Sequence, residues 1–517
     1  MRPITMGLVK VPLEFKKNNW LIYFFTLGIA LTGAFSRIVA GEYSDPFHDG
    51  EYVASLPLML SGNINFFTIH GALDWVPAWL SHRVFGAEKY FFHTMLIYEM
   101  LNALASVVLF LIIALLVREG KYRALILITA AVLTPYFVSV RDVFLLLAIL
   151  VYFVCEEISY KRAQKVLEIT LGILLAVNIW WSFDRGIAGI AGIGLACLIL
   201  IVFERRYLLA LGAFTAFIAG LVWIGAISLA GYVENIKFLV ATSSQWSYGY
   251  SKFAPVLWTA FAVVPNGLII YYLVRQFFYP QSDWKERASV VMLMVLSLAL
   301  LKVGINRADV GHIVMSLWVP GIAFLYLRGR CGDIIPPRVI STVMSSLIGK
   351  KYPKFTNILG STKFALIAVA IPLYIFNIYK VSENAYPWLT RDFEPPPNYA
   401  LVNKNAQWVS TEILKVGAQC VFDLSNHGVI NGLTGLPPCT KYTYPVYATR
   451  QYEADMLHQL QQSNPPVVVF SSADWVFVID GKSMHDRFPE VKEYLVQNYP
   501  YQLCKFDYCL RYINQPG

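Results

Sequence analysis

Residues 93–117 read HTMLIYEMLNALASVVLFLIIALLV, a stretch with one carboxylate, Glu99, and no Lys or Arg. As a helix it is long enough to cross the roughly 30 Å of a bilayer's hydrocarbon, for which about 20 residues suffice. Working outward with the same test gives about eleven spans in all. They are 20–40, 93–117, 122–140, 143–156, 166–182, 186–203, 207–230, 254–274, 288–304, 309–327 and 364–380. The third and fourth share one apolar stretch broken only by Arg141 and Asp142. The first follows Lys10, Lys16 and Lys17 as a signal peptide would, but its apolar part is too long for one and other spans follow. An uncleaved helix is therefore expected.

Composition agrees. Of 517 residues, 57% are hydrophobic and 15% charged, with a mean hydropathy of +0.52. A soluble chain carries about 25% charged residues, so most of this surface faces something other than water, and the lipid bilayer is its natural partner. The net charge of +9 does not indicate nucleic acid, because the Lys and Arg sit in short clusters between apolar runs. With the N-terminus inside, the inner segments collect Arg118, Lys121, Arg123, Lys161, Arg162, Lys165, Arg205, Arg206 and the basic stretch from Arg328 to Lys354. The excess of inner cations selects a cytoplasmic N-terminus, and an odd number of spans then leaves the C-terminus outside.

The chain thus divides into a transmembrane part, 1–381, and an extracytoplasmic tail, 382–517. In the tail the pattern changes to short strands and amphipathic helices. Gln419 to Leu424 reads as a strand, Arg450 to Gln462 as a helix with Met456, Leu457 and Leu460 inward, and Val467 to Ser471 as a buried strand. Pro489 to Gln497 reads as a helix and Gln502 to Tyr512 as a hairpin, so the tail is expected to be a small α/β sandwich. Pro395, Pro396 and Pro397 make Glu394 to Asn398 a stiff linker. Cys420, Cys439, Cys504 and Cys509 all fall in the tail, whereas Cys155, Cys197 and Cys331 fall in spans or on the inner side. Two tail disulfides are expected in an oxidising compartment. Of the three connectivities, Cys420 with Cys439 and Cys504 with Cys509 is preferred, the second closing a tight hairpin.

Chemistry is sought where charge is costly. The first outer loop, 41–92, holds Glu42, Asp45, His48, Asp49 and Glu51 and continues into an aromatic stretch, Asn65 to Phe85, with Trp75 and Trp79. That stretch has the look of helices lying in the membrane interface. Three short outer turns each pair an Arg with an Asp at membrane depth: Arg141 with Asp142, Asp184 with Arg185, and Arg307 with Asp309 and His312. Taken singly, each turn is an ion pair capping helix ends. Taken together with the acidic loop, they point to one convergent site, since ionisable residues there are usually paired and functional. Cations at that depth suit a phosphate whose lipid tail stays in the bilayer. The carboxylates suit deprotonation of a hydroxyl or binding of a divalent metal, magnesium or manganese.

The loop sequence Asp45-Pro46-Phe47-His48-Asp49-Gly50-Glu51-Tyr52, the many-span body and the outer tail together resemble the GT-C superfamily of membrane glycosyltransferases. The segment Asp423 to Tyr444 is similar to the tails of bacterial dolichyl-phosphate-mannose mannosyltransferase-like members. In it a strand end with an Asn is followed by Leu433-Thr434-Gly435-Leu436-Pro437-Pro438 and by Lys441-Tyr442. The resemblance implies an α-helical polytopic inner-membrane enzyme with its tail in the periplasm. Its donor would be a polyprenyl-phosphate-linked sugar, and its acceptor a hydroxyl on a glycan, lipid or protein. It also implies that Asp49, Asp45 or Glu51 acts as base or metal ligand, and no Asp-x-Asp pair occurs in the loop. Arg141, Arg185 and Arg307 would hold the donor phosphate, with His48, Asp142, Asp184, Asp309 and His312 in support, and the outcome would be inversion. Rival readings are a transporter or flippase of lipid-linked saccharide, for which internal repeats are expected, a polymerase or ligase of such saccharides, and a scaffold.

Overall fold

The computed structural model describes residues 20–39, 48–60, 67–86, 90–117, 123–225, 229–242, 253–280, 282–307, 310–331, 370–383, 404–471 and 487–515. Among these, seven helices are long and apolar enough to cross a membrane. They are Trp20–Ile38, Phe92–Leu116, Lys161–Trp181, Phe183–Glu204, Thr259–Phe277, Trp284–Ile305 and Val310–Gly329. An eighth candidate is a bent pair, Arg123–Phe137 with Val140–Glu157, whose halves turn by 106°. The chain is a multi-pass, mainly helical membrane protein.

The described residues account for seven or eight of the expected eleven spans. The third and fourth runs form the bent pair. Pro135 removes a backbone donor near the end of the first half. Ser139 and Asp142 then form a reciprocal capping box that starts a new turn. Of the seventh run, the helix Leu208–Gly225 is described, whose apolar stretch Leu208–Val222 is shorter than a span, and beyond it the helix Leu229–Thr242. Of the eleventh, residues 370–383 are described and helical.

The bundle core gathers Leu145, Leu146, Ile149, Leu175, Ile193, Leu296 and Trp318, each buried. Lys161–Trp181 and Leu208–Gly225 approach at backbone distance. A Cβ on Gly172 would stand 2.3 Å from the Ala213 nitrogen, and one on Gly212 2.5 Å from the Ile169 oxygen. Small residues are what permit such contact between helices in lipid, where no hydrophobic effect draws them together. The ends of these helices farthest from the outer loop are tied by Arg206, which pairs with Glu156 and, at 2.7 Å, with Glu168.

The tail is built on a three-stranded antiparallel sheet of order β1-β3-β2, with β1 Val467–Ser471, β2 Tyr501–Lys505 and β3 Tyr508–Tyr512. Helices Lys404–Lys415, Glu453–Ser463 and Pro489–Asn498 belong to the same unit. Met456 and Leu460 are fully buried, and Leu457 packs against the same cluster. The strand expected over Gln419 to Leu424 is realised only as two isolated parallel bridges, Val421 to Pro438 and Asp423 to Val469. Cys420 is bonded to Cys439, and Cys504 to Cys509 across the β2–β3 hairpin.

Candidate functional site

Two of the charged turns meet. At the first, the buried Asp142 carboxylate accepts from the Ser139 amide at 2.9 Å and hydroxyl at 3.0 Å through Oδ2, and from Arg185 Nε at 2.5 Å through Oδ1. At the second, Ser182 ends the helix Lys161–Trp181, and its hydroxyl donates to Asp184 Oδ1 at 2.7 Å. Arg185 Nη1 donates to Asp184 Oδ2 at 2.9 Å, and Arg141 Nη1 stands 3.7 Å from the same oxygen. Arg141, Asp184, Arg185 and Asp142 therefore form one chain of alternating charge across the two turns. Within it Arg185 is 3% exposed with both carboxylates around it, whereas Arg141 keeps 20% of its side chain exposed.

The acidic loop is fastened to the second of these turns by backbone, and the two turns to each other by an indole. The Phe183 amide donates to the His70 carbonyl at 2.8 Å, and Trp181 Nε1 donates to the Val140 carbonyl at 3.1 Å. Gly71, at φ 114°, allows this approach, since a Cβ there would stand 2.8 Å from the Trp180 oxygen. Asp74 then organises the segment. Its Oδ2 accepts from the amides of Ile69 and His70 at 2.8 and 2.9 Å, and its Oδ1 lies 2.8 Å from His70 Nδ1. Tyr98 donates to the Leu73 carbonyl and stacks on Tyr52, centroids 3.6 Å apart.

Around Tyr52 the loop's charges come together. Burial, then the carboxylates of Glu51, Asp74 and Asp49, hold its phenol well above the ordinary range, with Arg141 opposing them. Glu51 is buried and Asp49 half-buried in the short helix His48–Glu51. The His70 imidazole is pushed above its ordinary value: burial opposes its charge, but Asp74 and Glu51 outweigh it. The site thus has a carboxylate side, Asp49, Glu51 and Asp74, and a cationic side led by Arg141.

The tail is seated on the acidic loop of this site. Gly50 of the acidic loop and Gly428 of the tail lie back to back. A Cβ on Gly50 would stand 2.5 Å from the Val429 nitrogen, and one on Gly428 2.8 Å from the Gly50 oxygen and 2.7 Å from Tyr444 Oη. The Phe67 amide donates to the Lys441 carbonyl at 2.7 Å. Ala54 and Phe67 of the loop and Phe238 of Leu229–Thr242 share one core with Phe422, Leu424, Tyr442 and Tyr444 of the tail.

Of the residues singled out in the sequence, Asp49, Glu51, Arg141, Asp142, Asp184 and Arg185 are brought to this one end of the bundle. Asp45 and Asp309 lie outside the described residues, and for His48 and Arg307 only the backbone is described. Arg307 ends the helix Trp284–Arg307, which packs against Phe183–Gly189; His312 lies in the next helix, Val310–Ser316. Sequence reasoning missed His70, Asp74, Tyr52 and Tyr444. The four-residue spacing of His70 and Asp74 was the available signal, set in a stretch read as interfacial. Its following helix, Val76–Phe85, does expose Trp79, Leu80, Val84 and Phe85. Among the described residues no group of three His, Cys, Asp or Glu is placed to hold a metal ion.

Fold and site together define a multi-pass membrane protein with a cluster of charged residues at one end, against which a folded, disulfide-bonded tail is packed. No family model matches the chain, and no curated protein matches it. Among solved structures it is similar to that of ArnT from Cupriavidus metallidurans bound to undecaprenyl phosphate, at 13% identity and a TM-score of 0.47. The match covers 95% of this chain and 98% of that one.

Proposed function

We propose that this chain is a GT-C-type glycosyltransferase that moves a sugar from polyprenyl phosphate to an acceptor hydroxyl on the periplasmic face of the inner membrane. The observation that carries the reading is geometric: Arg141 stands 3.7 Å from Asp184 in the turn to which the acidic loop is bonded, Phe183 amide to His70 carbonyl, at the end of a membrane bundle and beside the tail. A cation beside carboxylates at this depth suits a lipid-linked phosphate and a hydroxyl to be deprotonated. The two disulfides of the tail support an oxidising compartment on this side.

The reaction is a single displacement. Asp49, the less buried of the two acids in its helix, takes the acceptor proton as oxygen attacks the anomeric carbon. The sugar–phosphate bond breaks on the opposite face, giving inversion. Charge gathering on the leaving phosphate is met by Arg141, with Arg307 as a second cation from the neighbouring helix. Arg185 has Nε and Nη1 on Asp142 and Asp184, so its work is to hold Asp184 and through it Arg141. Glu51 and Asp74 raise the pKa of His70 beside the site. The described acids do not converge as a metal site, and no step is routed through one.

The test is mass spectrometry of lipid-linked glycans from cells with and without the gene, paired with polyprenyl-phosphate binding by the purified protein. Loss of the gene should leave a sugar-bearing polyprenyl phosphate unconsumed. Arg141→Ala should weaken lipid-phosphate binding about 10- to 100-fold, the worth of a charge-assisted contact. An unchanged glycan profile together with wild-type binding by the variant would remove the reading.

A further inference from the structure

The tail segment 423–444 does more than cover the loop. Asp423 is buried and accepts three hydrogen bonds, from the Ser425 amide at 2.7 Å and its hydroxyl at 2.5 Å, and from the His427 amide at 2.8 Å. That grip fixes the turn between them and holds Asn426 at φ 62°, a left-handed conformation that Asn tolerates. Asn426 is 0% exposed, yet among the described residues neither its Oδ1 nor its Nδ2 has a hydrogen-bond partner. Two residues on, Gly428 touches Gly50 of the acidic loop and Tyr444 of the tail. Tyr444 is 4% exposed, and its hydroxyl is likewise unpartnered among the described residues. The fields of Glu51 and Asp74 reach it, and Tyr447 packs edge-on against its ring, centroids 6.1 Å apart.

Buried polar atoms are ordinarily satisfied, and each unpaired one weakens the fold. A Phe at 444 and an apolar or glycine residue at 426 would avoid that cost, so these side chains are placed for something outside the chain. Both are neutral, and both donate and accept. That chemistry matches the hydroxyls of a sugar ring; a phosphate would call for cations, which lie instead at Arg141.

We propose that Tyr444 and Asn426 are a carbohydrate-recognition pair, supplied by the tail, that binds hydroxyls of a sugar ring where tail and acidic loop meet. The proposal rests on the glycosyltransfer reading and adds to it the part of the protein that selects the sugar. The ring belongs either to the lipid-linked donor or to a glycan acceptor.

The experiment uses the full chain in nanodiscs and two variants, Tyr444→Phe and Asn426→Gly, the latter keeping the left-handed backbone. Binding is measured to a polyprenyl phosphate with its sugar and to the same lipid phosphate without it, and KM is measured for a glycan acceptor. For a donor ring, each variant should bind the sugar-bearing lipid about tenfold more weakly, the worth of one lost bond, with the sugar-free lipid unaffected. For an acceptor ring, donor binding should stay unchanged and the acceptor KM should rise by about the same factor. Tyr444→Phe should melt no lower than wild type, since it removes an unpaired buried hydroxyl. Wild-type binding of both lipids together with an unchanged acceptor KM would overturn the proposal, as would a loss common to both lipids with a lowered melting temperature. A wild-type protein that neither prefers the sugar-bearing lipid nor transfers its sugar would overturn the glycosyltransfer reading beneath it.

Discussion

His70 shows how one side chain can join a loop to a bundle. Its carbonyl takes the Phe183 amide, its own amide binds Asp74, and its ring meets the other Asp74 oxygen. Its pKa lies above the ordinary value near 6.5, because Asp74 and Glu51 overcome the effect of burial. The sign follows from linkage. A basic group whose folded pKa is raised adds stability that is complete below its unfolded value and is lost as pH climbs through the folded one. The wild-type unfolding temperature should therefore fall as pH rises from about 6.5, and His70→Gln, which keeps a polar side chain but cannot charge, should flatten that decline. Thermal unfolding in one detergent across this pH range is the check, and parallel curves for the two proteins would contradict it. Arg141, Asp142, Asp184 and Arg185 were legible in the sequence because charge at membrane depth is costly and stands out. The His70–Asp74 pair was not, because its place depends on Gly71 at φ 114° pressing against the Trp180 carbonyl, a contact between segments over a hundred residues apart. Which Arg is enclosed by carboxylates and which keeps an exposed side chain is likewise a matter of geometry that two identical residue types do not reveal.

Helices carry the next layer of the account. The seam between Lys161–Trp181 and Leu208–Gly225 depends on Gly172 and Gly212 meeting backbone directly. It also helps to hold Ser182 and Asp184, which follow the first of these helices, in place for Arg141. A Leu at position 172 has nowhere to go but between the backbones, so Gly172→Leu should destabilise the protein by about 1–3 kcal/mol or more, the usual cost of overpacking. Leu211→Ile, at a residue 54% exposed on the second helix, should leave the unfolding temperature within error. Equal melting of the two variants in the same detergent would show that the seam is not close-packed. Helix existence was readable from apolar runs, and two tail helices, Glu453–Ser463 and Pro489–Asn498, fell within a few residues of their expected bounds, since amphipathic spacing marks them, whereas Lys404–Lys415 was not expected. The bend of 106° between Arg123–Phe137 and Val140–Glu157 was foreshadowed only by Pro135 and the Arg141–Asp142 interruption. Hydropathy responds to composition and not to direction, so it does not reveal the corner at which the two runs meet.

Loop and tail form one unit because two glycines let them touch. Gly50 faces the Gly428–Val429 backbone, Phe67 bonds to Lys441, and Ala54, Phe67 and Phe238 complete the core of the tail. The tail's cysteine pairing, two of its helices and its hairpin could be read from the sequence, but its seat on the acidic loop could not, since no local pattern records which surface a domain covers. This packing places the half-buried Asp49 next to the docked tail and its neighbour Glu51 in the buried interior, which is why Asp49 is the proposed proton acceptor. The most direct measurement is transfer of radiolabelled sugar from polyprenyl phosphate to acceptor by purified wild type and Asp49→Asn in nanodiscs, with donor binding measured on the same samples. Asn keeps the shape of the side chain and cannot take the proton, so transfer should fall about 100- to 10,000-fold while donor binding persists. Wild-type transfer by Asp49→Asn would contradict the account.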